Sequence, residues 1–589
     1  MSGSYLLQVD SFVTLSDLIL HSWFQARLKL RSYPHCDVAQ GAAESQGFPS
    51  IHEGCREIRL DTPILTSEYH GRLNRKLYKS AVRHSEPRDY IKMDSTLVFI
   101  VLASSTLAFI YVANRRNQAL FPPTPPGQWF LGNVKQIPAR QPWFQFAAWR
   151  ELYGDIIHLK LINKHMIILN SKKATLDLLD GQSNIYSHRP KSVFLDEVLD
   201  FSNDVFRVRA DDPHFKAHRR MMHSGLGPRA VREYQPLQIQ ETNTMLRSLA
   251  EDPDKFIAHI RRNAGALIMK VAYGYTVSSV DDYYLKLVER HFEILEETMS
   301  LPLMIEFFPT LKYLPSWFPF TGFRKAEKMI RDNMTDRIPY DWAKKQVESG
   351  NFVDSFFARF FQKEDGATTS QDEERMLMRV CAALYIGGAD TTVAALTSFF
   401  YLMETHLEIQ QRAQSEVDAA TGGDRLPRPD DEGKMPYLTA VIKETLRWSP
   451  VVPLGLPHSV DRDDIYDGYL IPAGSSVIAN IWAITHDPET YPNPDVFEPD
   501  RHLGENPQPN PFDFVFGFGR RSCPGSHLAE RSLFQNAANI LAVFNIDKKR
   551  DPQGNPIEPT VEFRGGGISH LKDFPIKIIV RSPHLLPTT

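Results

Sequence analysis

The chain has 589 residues, of which 42% are hydrophobic and 11% aromatic, so it has the composition of a globular protein with a large core and cannot be a disordered or collagen-like chain. Lys and Arg total 67 against 71 Asp and Glu, and this net charge of −4 leaves no basic excess for nucleic acid, so no nucleic-acid partner is expected. Four cysteines occur, Cys36, Cys55, Cys381 and Cys523, without the CxxC spacing of a zinc site. This excludes a disulfide-stapled secreted scaffold and predicts a main domain in a reducing compartment.

The first 92 residues show no sustained apolar periodicity and mix Gly, Ser, His and charged residues freely. Lys and Arg crowd positions 72–92, and by the positive-inside rule they would place the following domain in the lumen. If translation begins at Met93, Arg115 and Arg116 instead hold that domain in the cytosol. We therefore interpret 1–92 as a mis-annotated or disordered extension.

The next segment, STLVFIVLASSTLAFIYVA at 95–113, is apolar and uncharged. As a helix its roughly 19 residues would rise about 28 Å, close to the thickness of a bilayer core. A basic flank follows at 114–116, and the proline-rich segment 121–127 is a stiff spacer that cannot continue a helix. Residues 93–121 are thus predicted to be a transmembrane anchor with its flank, the alternative being a buried core helix.

Residues 122–589 are predicted to form one large domain, mainly α with small β-sheets, because helical periodicity dominates and no internal repeat occurs. Short strand-like runs lie at 156–161 and 166–170. The proline-free stretch 373–405 carries apolar residues at helical spacing on several faces, which predicts a central helix long enough to cross the domain.

The segment FGFGRRSCPG at 516–525 places a single cysteine between glycines, directly before a helix-like run. Glycines let the backbone approach a flat cofactor. The helix N-terminus, Arg520 and Arg521 stabilise negative charge on Cys523 and so favour a thiolate. From these residues alone, a buried structural cysteine is an equal alternative.

Read as FxxGxRxCxG, with Phe516, Gly519, Arg521, Cys523 and Gly525 at the fixed positions, this segment resembles the haem-thiolate signature of the cytochrome P450 family. The resemblance implies the P450 fold, haem b as cofactor and Cys523 as the axial ligand of its iron. It also implies that Arg521 binds a haem propionate and that the other three motif residues shape the cofactor-binding loop. An axial thiolate donates electron density to the iron and favours O–O cleavage.

Upstream, the sequence KETLR places Glu444 and Arg447 on one face of a predicted helix. Alone, such a pair is usually a solvated surface ion pair worth under about 1 kcal/mol. In the P450 family the pair is buried and completed by an arginine in a following FxPxR segment, which here is FEPDR with Arg501. The resemblance therefore implies that these three residues form a structural triad beneath the haem.

The sequence GGADTT at 387–392 puts two glycines into the predicted central helix, each about 1 kcal/mol less favourable there than alanine. Thr and Asp side chains compete for backbone hydrogen bonds, so we expect the helical ladder to open and leave a groove. A helix contact through small residues is the alternative. The run resembles the family's [A/G]-G-x-[D/E]-T oxygen-activation motif, which implies two catalytic residues: Thr391, which orders water, and Asp390, which relays protons.

Two further positions match the family more loosely. In FKAHRR, Arg219 falls where the family's WxxxR motif has its propionate-binding arginine, but Phe215 replaces the tryptophan, so one hydrogen bond to haem is expected to be lost. In LPH, His458 lies on the predicted strand after the ExxR helix, where His or Arg commonly reaches a propionate.

Together, these motifs imply a monooxygenase that inserts one oxygen atom from O2 into a lipophilic small molecule, using NADPH-derived electrons. Because the sequence has no GxGxxG fingerprint and no candidate flavin domain, the expected donors are NADPH–cytochrome P450 reductase and, secondarily, cytochrome b5. The anchor predicts a single-pass protein of the endoplasmic reticulum membrane with a cytosolic catalytic domain. The aromatic, proline-interrupted segment 302–320 is expected to dip into the membrane lipid.

The overall pattern is most similar to fungal microsomal P450s of secondary metabolism, of the O-methylsterigmatocystin oxidoreductase type. A polyketide, a terpenoid or an indole alkaloid is therefore the expected substrate, and xenobiotic or housekeeping lipid oxidation is the alternative. An oxygen-independent isomerase or dehydratase on the same fold would need Cys523 but would have no use for Asp390 and Thr391.

Overall fold

A computed structural model describes residues 100, 102–109, 121–299, 304–362, 370–564 and 566–588. The extension predicted at 1–92 lies outside these residues. Of the predicted anchor, residues 100 and 102–109 are described, and they are helical and exposed. The rest of the anchor also lies outside the described residues, so its membrane role stays a prediction.

We label the helices in chain order: α1 Pro142–Tyr153, α2 Lys172–Thr175, α3 Ser183–Tyr186, α4 Pro213–Leu226, α5 Pro228–Glu233, α6 Gln235–Glu251, α7 Phe256–Tyr273, α8 Tyr283–Met299, α9 Phe323–Asn333, α10 Arg337–Glu348, α11 Phe356–Phe361, α12 Gln371–Thr405, α13 Leu407–Thr421, α14 Pro436–Trp448, α15 Ile481–Thr485, α16 Phe512–Val515 and α17 Ser526–Val543. The strands are β1 Ile156–Leu161, β2 Lys164–Leu169, β3 His458–Ser459, β4 Asp464–Tyr466, β5 Tyr469–Ile471, β6 Ser476–Ala479, β7 Phe544–Lys548 and β8 Ile576–Val580. The mainly helical class with small sheets is thereby confirmed.

The predicted central helix is α12, whose 35 residues rise about 52 Å. It begins at a capping box, in which the hydroxyl of Ser370 accepts from the N–H of Glu373 and the Glu373 carboxylate accepts from the N–H of Ser370. Among the described residues, α12 is the one helix that is long and apolar enough to cross a membrane. Because 67% of its most apolar window is buried inside the domain, it is a core helix.

The largest sheet has four strands in the order β1-β2-β6-β3. β1 and β2 form an antiparallel hairpin at the two predicted strand-like runs, β2 runs parallel to β6, and β3 pairs antiparallel with β6. Two-stranded ribbons, β4-β5 and β7-β8, complete the sheet structure of the described domain. The four-stranded sheet places His458 on its β3 edge, opposite Val477.

The packing of α12 brings the predicted motifs together. Its residues Leu384 and Ala389 share a buried apolar cluster with Ile268 of α7 and Leu528 of α17. Gly388 allows α12 to approach α7 closely, since a Cβ at this position would lie 2.8 Å from Ile268 Cγ1. The GGADTT turn of α12 and the start of α17, directly after the cysteine loop, therefore contribute to the same buried cluster.

Candidate haem-thiolate site

Cys523 lies in a loop that ends at helix α17. Its N–H donates to the carbonyl of Phe516 at 2.6 Å, which closes the loop. Burial raises the pKa of the Cys523 thiol, whereas the backbone amides of Gly525 and Ser526 and the charge of Arg219 act in the opposite direction. The side chain is nevertheless exposed. A thiol that is accessible and yet surrounded by protein lies in a hollow, and a cationic metal there would favour its thiolate.

The glycines of the motif have separate structural reasons. Gly519 has φ +50°, and a Cβ there would lie 2.5 Å from the carbonyl oxygen of Leu179. Its N–H donates to the carboxylate of Asp180, so the loop is pinned against the segment after α2. A Cβ at Gly525 would lie 3.9 Å from Cys523 Sγ, so this glycine keeps the approach to the sulfur open.

Three buried or half-buried arginines lie at or near this loop: Arg521 is part of it, Arg219 donates to its Ser522 carbonyl, and Arg189 is close enough to Arg521 for their charges to interact. Within the described residues none forms an ion pair with a carboxylate, and their hydrogen bonds go to backbone carbonyls. Burial, together with the charges of Arg219 and Arg207, lowers the pKa of Arg521 to about 10, and burial lowers the pKa of Arg189. The acceptors are Ser187 and Val208 for Arg521, Ser522 for Arg219, and Phe206, Leu456 and Pro457 for Arg189.

Buried cations without carboxylates call for an anionic ligand. A haem fits this set, because its two propionates would supply the missing negative charge and its iron would meet the accessible thiol of Cys523. Arg189 is absent from the sequence prediction, since it belongs to no motif of fixed spacing. Phe215, which replaces the tryptophan, stabilises Arg521 by a cation–π contact: its ring centroid lies 4.4 Å from the guanidinium carbon of Arg521.

His458 is buried beside these arginines. Its Nδ1–H donates to the carbonyl of Tyr186 at 2.8 Å. Burial and the charge of Arg189 lower the pKa of His458 to about 3, so the ring is neutral and its Nε2 carries no proton. A hydrogen bond from Nε2 to a propionate, as predicted, would require the protonated ring, which the negative charge of a nearby propionate would favour.

The predicted triad is assembled and fully buried. Glu444 accepts from Arg447 Nε and Nη2 at 2.8 and 2.9 Å and from Arg501 Nε at 3.0 Å. His502, which the sequence prediction missed, donates from Nε2 to the same carboxylate at 2.9 Å. Burial alone would raise the pKa of Glu444, but the hydrogen bonds from His502 and Arg447 hold it below its ordinary value. The carboxylate therefore stays charged and joins α14 to the segment that follows Pro499.

The GGADTT turn differs from the prediction in one respect. Helix α12 is continuous through these residues, so the expected opening of the helical ladder is wrong. The hydroxyl of Thr391 donates to the carbonyl of Gly387 at 2.8 Å, while a Cβ at Gly387 would meet no atom within 4 Å. Space beside α12 thus comes from the absent side chain of Gly387. Asp390 contacts His570 near the C-terminus, at 2.8 Å.

A family model described as Cytochrome P450 matches residues 122–568. The chain is 37% identical to Cytochrome P450 monooxygenase claR of Ampulloclitocybe clavipes, over 83% of this chain and 91% of that protein. It is also 37% identical to Cytochrome P450 monooxygenase 208 of Postia placenta, over 82% and 96% respectively. Its identity to Tryptamine 4-monooxygenase of Psilocybe cyanescens is 33%, over 83% and 99%. These matches confirm the resemblance that the motifs indicated.

Proposed function

The chain belongs to the cytochrome P450 family, and on that premise we propose that it is a haem-thiolate monooxygenase of fungal secondary metabolism that acts on a lipophilic polyketide, terpenoid or indole alkaloid. Like its relatives it is a P450 monooxygenase, which requires haem, O2, a redox partner and a lipophilic substrate. The observation that carries the proposal is the accessible thiol of Cys523 beside three arginines that have no carboxylate partner among the described residues.

When bound, the haem supplies an iron centre that activates O2 with electrons from the partner. The residues of the chain hold and orient it. Cys523 would supply the sulfur that binds the iron, and Arg189, Arg219 and Arg521 would bind the propionates. Glu444 keeps its arginines paired within the chain, so it stabilises the fold without contributing to ligand binding.

On the other face of the site, Thr391 and Asp390 move protons. The Thr391 hydroxyl is held by the Gly387 carbonyl, with its lone pairs available to order a water in the space that Gly387 leaves. The Asp390 carboxylate, one residue earlier, accepts a proton from the solvent side at Oδ1 or Oδ2 and passes it to that water. An isomerase or dehydratase would need neither residue.

The proposed electron donor is NADPH–cytochrome P450 reductase, with cytochrome b5 as a second donor and haem b as the cofactor. We propose a single-pass anchor in the endoplasmic reticulum membrane. Exposed aromatic side chains support membrane contact, and the contact of Asn163 Nδ2 with the carbonyl of Phe307 at 3.2 Å places the β1-β2 turn beside the predicted membrane-dipping segment. The most exposed of these aromatics are Trp129, Phe130, Tyr313, Trp317 and Phe320.

The reduced, CO-bound absorption spectrum of the full-length protein tests the ligand. Wild type is expected to show the Soret band of a thiolate-ligated haem, and a globin-like band in folded wild type would contradict the role of Cys523. Thr391→Ala should keep the wild-type spectrum but release more hydrogen peroxide per NADPH consumed, because proton delivery is impaired. An unchanged peroxide yield would remove Thr391 from the mechanism.

Two measurements separate the alternatives. Turnover without NADPH or reductase would favour the oxygen-independent isomerase. For the substrate, a panel of polyketides, terpenoids, indoles, fatty acids and drugs is tested for displacement of water from the haem, read from the shift of the Soret band. One relative is named a tryptamine 4-monooxygenase, so tryptamine belongs in the panel. Binding of fatty acids or drugs alone would favour housekeeping or xenobiotic oxidation.

A further inference from the structure

The carboxylate of Asp390 contacts a histidine from the far end of the chain. His570 Nε2 lies 2.8 Å from Asp390 Oδ2, and the two side chains are 21% and 15% exposed. A carboxylate only accepts, so Nε2 carries the proton of this hydrogen bond. Within the described part of the chain, Asp390 has no other ion pair or side-chain hydrogen bond. Its position therefore depends on a residue outside the oxygen-activation motif.

The backbone holds His570 in place. The carbonyl of His570 accepts from the N–H of Arg564 at 2.6 Å, which closes the C-terminal hairpin across 564–570. The preceding residue, Ser569, is buried and donates its N–H to the carbonyl of Val451, just after α14, at 2.8 Å. The imidazole thus extends from a backbone segment tied to the core by hydrogen bonds, and a side chain on such a segment can define the position of its partner.

Helix α12 itself does not fix the carboxylate. The preceding turn of α12 contains Gly387 and Gly388, which have no side chains, and the hydroxyl of Thr391 is bound to a backbone carbonyl. Without His570, Asp390 would be free to rotate among the staggered χ1 positions that a helix allows, including those toward solvent. The hydrogen bond to Nε2 selects one of them.

We propose that His570 is a positioning residue for Asp390 in proton delivery. Its Nε2–H holds the carboxylate in one orientation and ties α12 to the C-terminal hairpin, so both the relay and the hairpin depend on one hydrogen bond. This inference rests on the proposed function, which assigns the proton relay to Asp390. It predicts that an amide donor at position 570 is sufficient, because the bond requires a donor and not an imidazole.

The test compares His570→Gln, which keeps an N–H donor, with His570→Phe, which keeps the ring volume without a donor. Asp390→Asn and the His570→Phe/Asp390→Asn double variant complete the set. The matched control is Lys572→Gln on the same hairpin, whose exposed side chain pairs only with Glu562 among the described residues. Every variant is the full-length haem enzyme, and its reduced CO spectrum is recorded first.

Two quantities are measured. The first is amide hydrogen exchange in peptides covering 566–575, which requires no turnover. The second is hydrogen peroxide released per NADPH consumed with reductase and no added substrate. We expect His570→Phe and Asp390→Asn each to exchange about fivefold faster at 566–575 and to release more peroxide. His570→Gln and Lys572→Gln should match wild type, and the double variant should be no worse than either single variant.

The outcomes separate the two proposals. If Asp390→Asn and Thr391→Ala leave the peroxide yield unchanged, the proposed relay is wrong. If these variants raise it but His570→Phe does not, the relay stands and the positioning role of His570 is overturned. The role is equally overturned if His570→Gln is as impaired as His570→Phe, or if Asp390→Asn leaves exchange at 566–575 unchanged. If His570→Phe loses the CO spectrum, the positioning role is tested by His570→Gln and Asp390→Asn alone. The role then holds only if His570→Gln matches wild type while Asp390→Asn exchanges faster and releases more peroxide.

Discussion

Two buried cationic centres of the domain differ in the source of their negative charge. In the first, Glu444 accepts from Arg447 and Arg501, so the charges are paired within the chain. In the second, Arg189 and Arg521 donate only to backbone carbonyls among the described residues. A centre that contains its own carboxylate is complete when the chain folds, whereas one without a carboxylate is complete only when an anion binds. The first centre therefore stabilises the fold, and the second is a ligand site.

The largest effect is expected at the complete centre. Glu444→Gln would leave the buried Arg447 without a counter-charge and Arg501 with only the exposed Glu498, at a cost of about 3–5 kcal/mol. Little folded haem protein should form, as measured by CO-binding haem per total protein and by the midpoint of thermal unfolding. Glu498→Gln is the matched control, because Glu498 is 53% exposed and pairs with Arg501 from outside. Wild-type haem content in Glu444→Gln would contradict the distinction between the two centres.

At the incomplete centre, ligand binding should suffer more than folding. Arg521→Met and Arg189→Met each remove a charge-assisted hydrogen bond to a propionate, so haem transfer to apomyoglobin should be about 10- to 100-fold faster than from wild type. Arg209→Met is the control, since Arg209 pairs with Asp211 at the exposed surface. If Arg521→Met instead destabilises the haem-free protein as much as Glu444→Gln does, this centre is also structural.

The sequence predicted the parts of both centres that depend on local spacing. The loop around Cys523, the pair on α14 and the long α12 are set by residues within a few positions of one another, so their patterns are readable without a structure. Arg189 and His570 were missed because their partners are distant: a carbonyl 267 residues later for Arg189 and a carboxylate 180 residues earlier for His570. No local pattern encodes such a contact.

The opening of α12 was predicted wrongly for a related reason. The prediction combined the unfavourable glycines with competition by Thr and Asp side chains for backbone hydrogen bonds. The Thr391 hydroxyl does bond the Gly387 carbonyl, but α12 packs closely on α7 at Gly388, and the helix continues. Local propensity thus fails where a long-range contact decides the conformation.

Glu404 differs from both centres, because it is a buried carboxyl group that has no ion pair or hydrogen bond among the described residues. The side chain lies fully buried in α12, and neither of its oxygens meets a hydrogen-bond partner in the part of the chain that the structure describes. Burial raises the pKa of Glu404 to about 8, with Lys548 acting against this and Asp547 and Glu558 adding to it. The folded protein therefore keeps a proton that the unfolded chain releases above about pH 4.5.

For this reason the free energy of unfolding should fall as the pH rises from about 4.5 to 8, and it should level off above the folded pKa of Glu404. Glu404→Met is expected to remove that part of the pH dependence and to raise the unfolding midpoint more at pH 8 than at pH 5. Glu408→Gln, at an exposed position of α13, is the control and should retain the wild-type slope. An identical slope in wild type and Glu404→Met would show that Glu404 has a partner in solution.

The smallest effect concerns Phe215, which packs its ring on Arg521. Phe215→Trp keeps this cation–π contact and adds an indole N–H, the donor that the family's WxxxR motif directs at the haem. One added hydrogen bond of about 0.5–1 kcal/mol should slow haem transfer to apomyoglobin about threefold and leave the unfolding of the haem-free protein unchanged.

Because Phe215 is only 6% exposed, the larger ring must displace neighbouring atoms. Phe215→Tyr, whose hydroxyl projects along the ring axis, serves as the control for added size. Faster haem loss in Phe215→Trp than in Phe215→Tyr would mean that a side chain at position 215 contacts Arg521 but does not donate a hydrogen bond to the haem.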